Sequence, residues 1–375
     1  MPDISVLIKP ASGMCNMACE YCFYADEIKK REQDSYGFMS EESLKNVIRR
    51  TLLKSRSGIS YAFQGGEPTL RGLAFFEKAL YYEKKYNRNQ VPVYNSLQTN
   101  GYLIDENWCQ FLKENHFLVG LSVDGTKELH DTYRHDKEGK PTFERAEHAA
   151  DLMSRYGVEY NILTVVHDKV AASIKEIYSF YKRKGWNYQQ YIACLEPLQE
   201  GHAKTGYGIR PEEYGNFLIE LFDLWYRDWK KGRQPYIRQF ENYIAMLLGC
   251  QPESCEQRGV CGIQNVVEAD GSVYPCDFYV LDELRLGNLN EMTLQEIYEN
   301  RRKSDFLKRS GKLSDSCISC EYYFLCRGGC LRHRDYREAG EYYENYFCQS
   351  YRMFFEKCLS RMQEIAVTEN KNRGL

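Results

Sequence analysis

The chain opens on a short apolar run, Ile4 to Pro10, which reads as a strand. Ser40 then precedes the acidic pair Glu41 and Glu42, and Leu44, Val47, Ile48 and Leu52 recur at helical spacing. That pattern predicts a helix with Ser40 as its N-cap. Ile59 to Phe63 has the length and apolar content of a buried strand, with a helix expected from near Gly72. Val91 to Leu97 is the next expected strand. Asp105 caps a helix that carries Trp108, Phe111 and Leu112 on one face. Phe117 to Val123 and Val158 to Val166 read as strands on either side of a helical stretch between Phe143 and Tyr156. A helix from about Ala172 to Lys184 and a strand from Tyr188 to Leu195 close the series.

Six such repeats predict parallel βαβ units, so the expected fold class is α/β, a partial (β/α)6 barrel rather than a closed eightfold one. Cys15 to Cys22, Gly65 to Pro68, Asn100 and Asp124 fall just after strand ends. In parallel α/β architectures that face carries the chemistry. After Pro197 the pattern changes. Tyr214 to Trp229 and Ile237 to Leu248 read as helices, and from Cys250 the chain is cysteine-rich and poor in long periodic segments. Val266 to Asp277 reads as a hairpin turning at Asp270-Gly271. The expected domains are residues 1–235, the partial barrel with its following helix, and residues 236–375, a cysteine-rich domain that needs metal to staple it.

Composition narrows the function classes. Fifty basic and 53 acidic residues give a net charge of −3, which suggests neither nucleic acid nor an anionic membrane as a partner. No apolar run is long enough to span a bilayer, and no secretory signal is visible, so the expected location is cytoplasmic. In a reducing compartment the 15 cysteines are expected as thiols or metal ligands. Cys109, Cys194, Cys250 and Cys358 stand alone, and each is expected to act as a small buried hydrophobe.

The first cysteine group is Cys15-x3-Cys19-x2-Cys22, directly after the first strand. Three thiolates on a cubane of four irons leave one iron open, as a catalytic metal site requires. Zinc sites more often use paired Cys-x2-Cys units and four ligands. The segment Gln64-Gly65-Gly66-Glu67-Pro68 follows the second strand, and glycine there lets the backbone approach a ligand. Near the C-terminus come Cys255, Cys261 and Cys276, then Cys317-x2-Cys320-x5-Cys326-x3-Cys330, and last Cys348. Eight cysteines suffice for two fully ligated 4Fe–4S clusters, and two structural zinc sites are the alternative. Asp277, directly after Cys276, places a carboxylate where it can act as a general base, although aspartate is also common in solvated turns.

The loop at Cys15, Cys19 and Cys22, with the aromatic Tyr21 inside it, resembles the radical S-adenosylmethionine (SAM) superfamily motif. The C-terminal array resembles the SPASM auxiliary-cluster domain. Segments Cys15 to Tyr24, Gln64 to Thr69, Gln98 to Gly101 and Asp270 to Val280 resemble the anaerobic sulfatase-maturating enzymes over nearly the whole chain. The resemblance implies three 4Fe–4S clusters and SAM as cofactors, with SAM cleaved reductively to a 5′-deoxyadenosyl radical. It implies Cys255, Cys261, Cys276 and Cys330 on one auxiliary cluster and Cys317, Cys320, Cys326 and Cys348 on the other. Tyr21, Gly66, Ser122, Arg134 and Leu195 match positions that contact SAM, Leu195 as an apolar wall for adenine. The resemblance also implies that Asp277 takes the thiol or hydroxyl proton, and Tyr24, Gln64 and Gln98 are candidates for gripping the target peptide. The implied activity is oxidation of a sulfatase cysteine or serine to Cα-formylglycine. The implied partners are the unfolded or nascent sulfatase and a flavodoxin- or ferredoxin-type reductant. The rival reading is another SPASM peptide maturase, such as a thioether-forming one. Many of these carry an N-terminal leader-binding domain, for which a first strand near Ile4 leaves no expected room. An electron carrier or a zinc-stapled binding module is the rival from a different class.

Overall fold

A computed structural model describes residues 3–198, 205–334 and 344–372. Among the described residues ten strands run in chain order: β1 Ile4–Ile8, β2 Ile59–Phe63, β3 Val93–Thr99, β4 Leu118–Ser122, β5 Glu159–Val166, β6 Tyr188–Ala193, β7 Tyr236–Ile237, β8 Asn265–Val267, β9 Ser272–Tyr274 and β10 Gly287–Asn288. The six strands expected from the apolar runs are β1 to β6. The helices between them also form where the pattern places them, over Glu41–Leu52, Leu73–Tyr86, Glu106–Glu114, Phe143–Tyr156 and Ile174–Lys184. Ser40 Oγ accepts from the Ser43 N–H at 3.0 Å, and Asp105 Oδ1 accepts from the Trp108 N–H at 2.8 Å. Both caps therefore satisfy donors that a helix start leaves open.

The chain divides into two compact units. The first holds residues 1–122, 131–160 and 263–306. In it β1 pairs parallel with β2, β2 with β3 and β3 with β4, the first pair in register from Ile4 opposite Ile59 to Ile8 opposite Phe63. On β2 the fully buried Ile59, Tyr61 and Phe63 alternate with Ser60 and Ala62, the two-residue period of a strand. The hairpin anticipated over 266–277 is present, with Val266 opposite Tyr274. It does not stand apart from the N-terminal strands. Instead β8 runs parallel to β1, with Val6 opposite Asn265 and Ile8 opposite Val267. Val266, Val267, Val273 and Tyr274 are fully buried, and their own cysteine-rich surroundings offer no other long apolar segment. Docking on the open edge of β1 buries them, so these compact units are not consecutive segments of the chain.

The second unit holds residues 123–130, 161–262 and 307–375. Here β5 pairs parallel with β6, and β6 with β7. The long helices Pro211–Trp229 and Cys348–Asn372 pack through Phe222 on Phe354, Tyr214 meets Phe347 just before the second helix, and Arg361 pairs with Asp223 at 2.7 Å. Of the four isolated cysteines, Cys109, Cys194 and Cys358 are buried, as small hydrophobes are. Cys250 departs from that expectation: it follows the helix Arg238–Leu247 on the surface and is exposed.

Candidate active site

In the first unit the turn after β1 carries Cys15, Cys19 and Cys22, all half-buried. Its backbone is pinned by a neighbouring segment. The Ala18 N–H donates to the His135 carbonyl at 2.9 Å, the Glu20 N–H to the Tyr133 carbonyl at 3.0 Å, and Met17 bridges to Asp136. Arg134 lies in that segment, is buried, and donates from Nη1 to the Tyr21 hydroxyl at 3.0 Å. The Gly-Gly-Glu-Pro turn packs against the loop from another direction. Gly66 has φ +56°, and a Cβ there would sit 2.1 Å from the Met14 carbonyl oxygen. Only glycine fits this position, and the close approach is to the backbone just before Cys15.

Glu67 is fully buried behind the loop. Its carboxylate accepts from the Thr69 N–H and hydroxyl, the Thr99 hydroxyl at 2.8 Å and the Asn100 N–H at 2.8 Å. Burial still raises its pKa above the ordinary carboxylate range. Asn100 Nδ2 in turn donates to Asn16 Oδ1 at 2.8 Å and lies 3.8 Å from Cys15 Sγ. The Cys15 thiol is pushed up to about 12, first by burial, then by Glu67, and then by Cys19 and Cys22. Cys22 is also raised, chiefly by burial, although Arg134 and Lys9 pull it down. Cys19 and Cys22 thus stand close enough to act on Cys15, and a cationic iron cluster would relieve that crowding by taking the three as thiolates. Among the described residues no three His, Cys, Asp or Glu side chains are placed to hold a single metal ion. Three thiols on one turn would suit a multi-iron cluster with one iron left open.

Asp277 is brought to this loop within the same unit. Phe23, next to Cys22, meets Phe278, next to Asp277, edge to face at 4.9 Å. Tyr24, Val266, Tyr274 and Val280 form a buried cluster on which Cys22 and Phe23 pack. Asp277 is itself buried. Lys9 Nζ lies 2.5 Å from its Oδ1, and Gln64 Nε2 donates to its Oδ2 at 2.7 Å. Tyr24 is held by its hydroxyl, which donates to Glu268 Oε1, and Arg31 Nη1 donates to the same oxygen at 2.9 Å. Burial, opposed by Lys9, pushes Glu268 up to about 7. Gln98 Nε2 is instead bonded to Ser122 Oγ at 3.0 Å, which ties β3 to the end of β4. Leu195 is buried just after β6 in the second unit.

Cys276 lies in the first unit, where its charge supports the buried guanidinium of Arg301, a group that burial depresses to about 10. Cys255, Cys261 and Cys330 lie in the second unit. Burial, then Cys255, and later Cys261 and Glu256 raise Cys330 far above an ordinary thiol, so these three are neighbours. In the same unit burial pushes Cys326 up to about 12, against a bond from the Gly328 N–H and with help from Cys348, Cys317 and Cys320. These four thiols also gather. Sequence reasoning missed Lys9, Arg31 and Glu268. The available signal was a charged residue inside each of two apolar runs, Val6 to Lys9 and Val266 to Glu268, because such residues are seldom buried unless paired.

A three-thiol loop after the first strand of a parallel α/β sheet, together with a C-terminal cysteine array, defines the class. Residues 10–181 match the Radical SAM superfamily, and residues 259–321 match SPASM, an iron-sulfur cluster-binding domain. The cysteine-type anaerobic sulfatase-maturating enzyme of Clostridium perfringens is 47% identical over 98% of this chain and 99% of its own length. The serine-type enzyme of Bacteroides thetaiotaomicron is 34% identical over 94% of this chain and 88% of its own. A solved structure, native anSMEcpe with bound AdoMet and Cp18Cys peptide, superposes with a TM-score of 0.93 at 46% identity, over 97% of this chain and 99% of that one. The chain belongs to the anaerobic sulfatase-maturating enzyme family.

Proposed function

We propose that this enzyme oxidises a cysteine or serine side chain of an unfolded or nascent sulfatase to Cα-formylglycine, in the cytoplasm. Among the described residues no helix is long and apolar enough to cross a membrane. The observation that carries the proposal is the pairing, in one unit, of a crowded three-thiol loop with the buried carboxylate of Asp277 through Phe23 and Phe278. Cys15, Cys19 and Cys22 are assigned to the catalytic cluster. Cys255, Cys261, Cys276 and Cys330 are assigned to one auxiliary cluster, and Cys317, Cys320, Cys326 and Cys348 to the other. Arg134, Tyr21, Ser122 and Gly66 are assigned to SAM, with Leu195 against its adenine. The functional boundary is placed near residue 235, the catalytic strands before it and the auxiliary ligands after it.

When bound, SAM and the clusters supply the radical that removes a Cβ hydrogen and the acceptor for one further electron. The remaining step belongs to the protein. The substrate S–H or O–H bond breaks, and its proton goes to a carboxylate oxygen of Asp277. Gln64 holds that carboxylate, and Tyr24, Gln64 and Gln98 are proposed to grip the peptide main chain, for which the Tyr24 hydroxyl would have to leave Glu268 and the Gln98 amide Ser122. Cysteine gives a thioaldehyde, which water converts to the aldehyde with release of sulfide; serine gives the aldehyde directly. The reductant is proposed to be a flavodoxin or ferredoxin.

Anaerobic turnover with cysteine- and serine-containing sulfatase peptides tests the reading. Formation of the aldehyde, detected by mass spectrometry together with 5′-deoxyadenosine, is the expected result. The higher identity to the cysteine-type relative supports faster turnover of the cysteine peptide. A thioether product, or cleavage of SAM without any change in either peptide, would overturn the proposal.

A further inference from the structure

Lys9 follows the first strand, and its side chain is completely buried. Its stem runs past Gly65, where φ is +109° and a Cβ would lie 2.7 Å from Lys9 Cγ. Its ammonium stands 2.5 Å from Asp277 Oδ1 and 3.7 Å from the centre of the Tyr24 ring. Arg31 and Glu268 form a second ion pair on the hydroxyl of the same tyrosine. Two cations and two carboxyl groups thus share one buried region.

A buried ion pair is weak evidence for stability, because desolvation offsets much of its attraction. An apolar residue would suit an apolar run better, so the lysine calls for a role besides packing. Its position supplies one. Oδ1 of Asp277 faces Lys9, Oδ2 accepts from Gln64, and the ring face of Tyr24 attracts the ammonium. A carboxylate has about four acceptor directions, so two held oxygens still leave room for an incoming proton. We infer that Lys9 is a positioning residue for the proton acceptor: with Gln64 it fixes the plane of the Asp277 carboxylate. The inference rests on the reading of Asp277 as acceptor.

Lys9→Met keeps the length of the stem and removes the charge. The full-length, cluster-loaded enzyme is assayed with a cysteine peptide, and aldehyde, 5′-deoxyadenosine and peptide KM are all measured. Lys9→Met is expected to lower kcat for aldehyde on the order of tenfold to a hundredfold, the scale of a misplaced catalytic group. Peptide KM stays within about threefold, and more 5′-deoxyadenosine is released per aldehyde. On an Asp277→Asn background the same substitution should cost nothing further, since a residue that acts through Asp277 then has nothing to orient. Unchanged coupling in Lys9→Met, or independent losses in the double variant, would overturn the inference. If Lys9→Met does not fold, Lys9→Arg carries the test, because it keeps the charge but displaces it. A raised ratio of 5′-deoxyadenosine to aldehyde supports the inference, and an unchanged ratio sinks it. Full aldehyde formation by Asp277→Asn would remove the acceptor reading itself. An impaired Asp277→Asn beside a normal Lys9→Met would remove only the role of Lys9.

Discussion

The thiols of Cys15, Cys19 and Cys22 and those of Cys317, Cys320, Cys326 and Cys348 are gathered by different means. The first three lie on one turn whose main chain is tied to residues 133–136 and pressed by Gly66. A polar shell surrounds them: Glu67 behind Cys15, Asn100 beside it, and Arg134 on Tyr21. The four come from short helical turns and the start of the last long helix. Backbone bonds hold their main chain, the Cys320 N–H donating to the Cys317 carbonyl at 3.2 Å and the Cys348 N–H to the Asn345 carbonyl at 2.9 Å, and charged groups stand near them as well, Glu344 and Arg352 by Cys348 and Arg334 by Cys317 and Cys326. Three ligands with a polar shell leave a cluster position that a polar cofactor can take. Four ligands fill every position and suit electron transfer or structure. The difference in thiol number is thus matched by a difference in scaffold, one turn for the three and several short helical turns for the four.

The comparison breaks most directly by deleting one thiol from each group. Cys19→Ala is expected to lower 5′-deoxyadenosine formation by at least roughly a thousandfold, since a cluster held by two thiols cannot anchor and activate SAM. Cys326→Ala should remove about four of about twelve irons, yet leave SAM cleavage within about tenfold of the native rate while aldehyde formation falls much further. Iron analysis and anaerobic assay of both products check this. Equal loss of SAM cleavage in the two variants would mean that the groups are not functionally distinct.

A smaller effect probes how tightly the first loop is built. Gly66→Ala puts a methyl group 2.1 Å from the Met14 carbonyl and forces an L side chain into positive φ. Backbone must move, and the Cys15 end of the loop moves with it. Iron bound by the catalytic loop is expected to fall by about half or more, with destabilisation of about 2–4 kcal/mol. Cluster absorbance and thermal melting under anaerobic conditions read both. A normally loaded Gly66→Ala would show that the turn contributes nothing to the shape of the loop.

Much of the first unit was legible in the chain. The apolar runs of β1 to β4 and the caps Ser40 and Asp105 are local signals, and each is answered by a local hydrogen bond or a buried strand. The cysteine spacings were legible for the same reason, because thiols a few residues apart cannot separate far. What was hidden is nonlocal. Nothing near Val266 says that β8 docks on β1, because both edges are apolar and only the folded sheet chooses between partners. Lys9, Asp277 and Gln64 are far apart in sequence, and their meeting depends on that docking. Resemblance offers a role for Arg134, whereas its bond to Tyr21 and its segment's grip on the loop are seen only in the fold.

The smallest effect separates the polar shell of the first loop from the scaffold around it. Glu67 and Glu83 are both buried carboxylates of the first unit, but Glu67 meets four donors while Glu83 accepts from Asn95 Nδ2 at 3.0 Å. Burial pushes Glu83 up to about 7. A carboxyl whose folded pKa is raised contributes most below its unfolded value, near 4.5, and that contribution is lost as pH climbs through about 7. The native protein should therefore lose stability between pH 5 and pH 8 at this site, by about 2 kcal/mol. Glu83→Gln keeps an acceptor for Asn95 and cannot ionise, so its melting temperature should fall a few degrees less over the same range. SAM cleavage by Glu83→Gln should match the native rate at every pH in that window. A parallel change in SAM cleavage would place Glu83 within the electrostatics of the thiol loop and erase the line drawn between shell and scaffold.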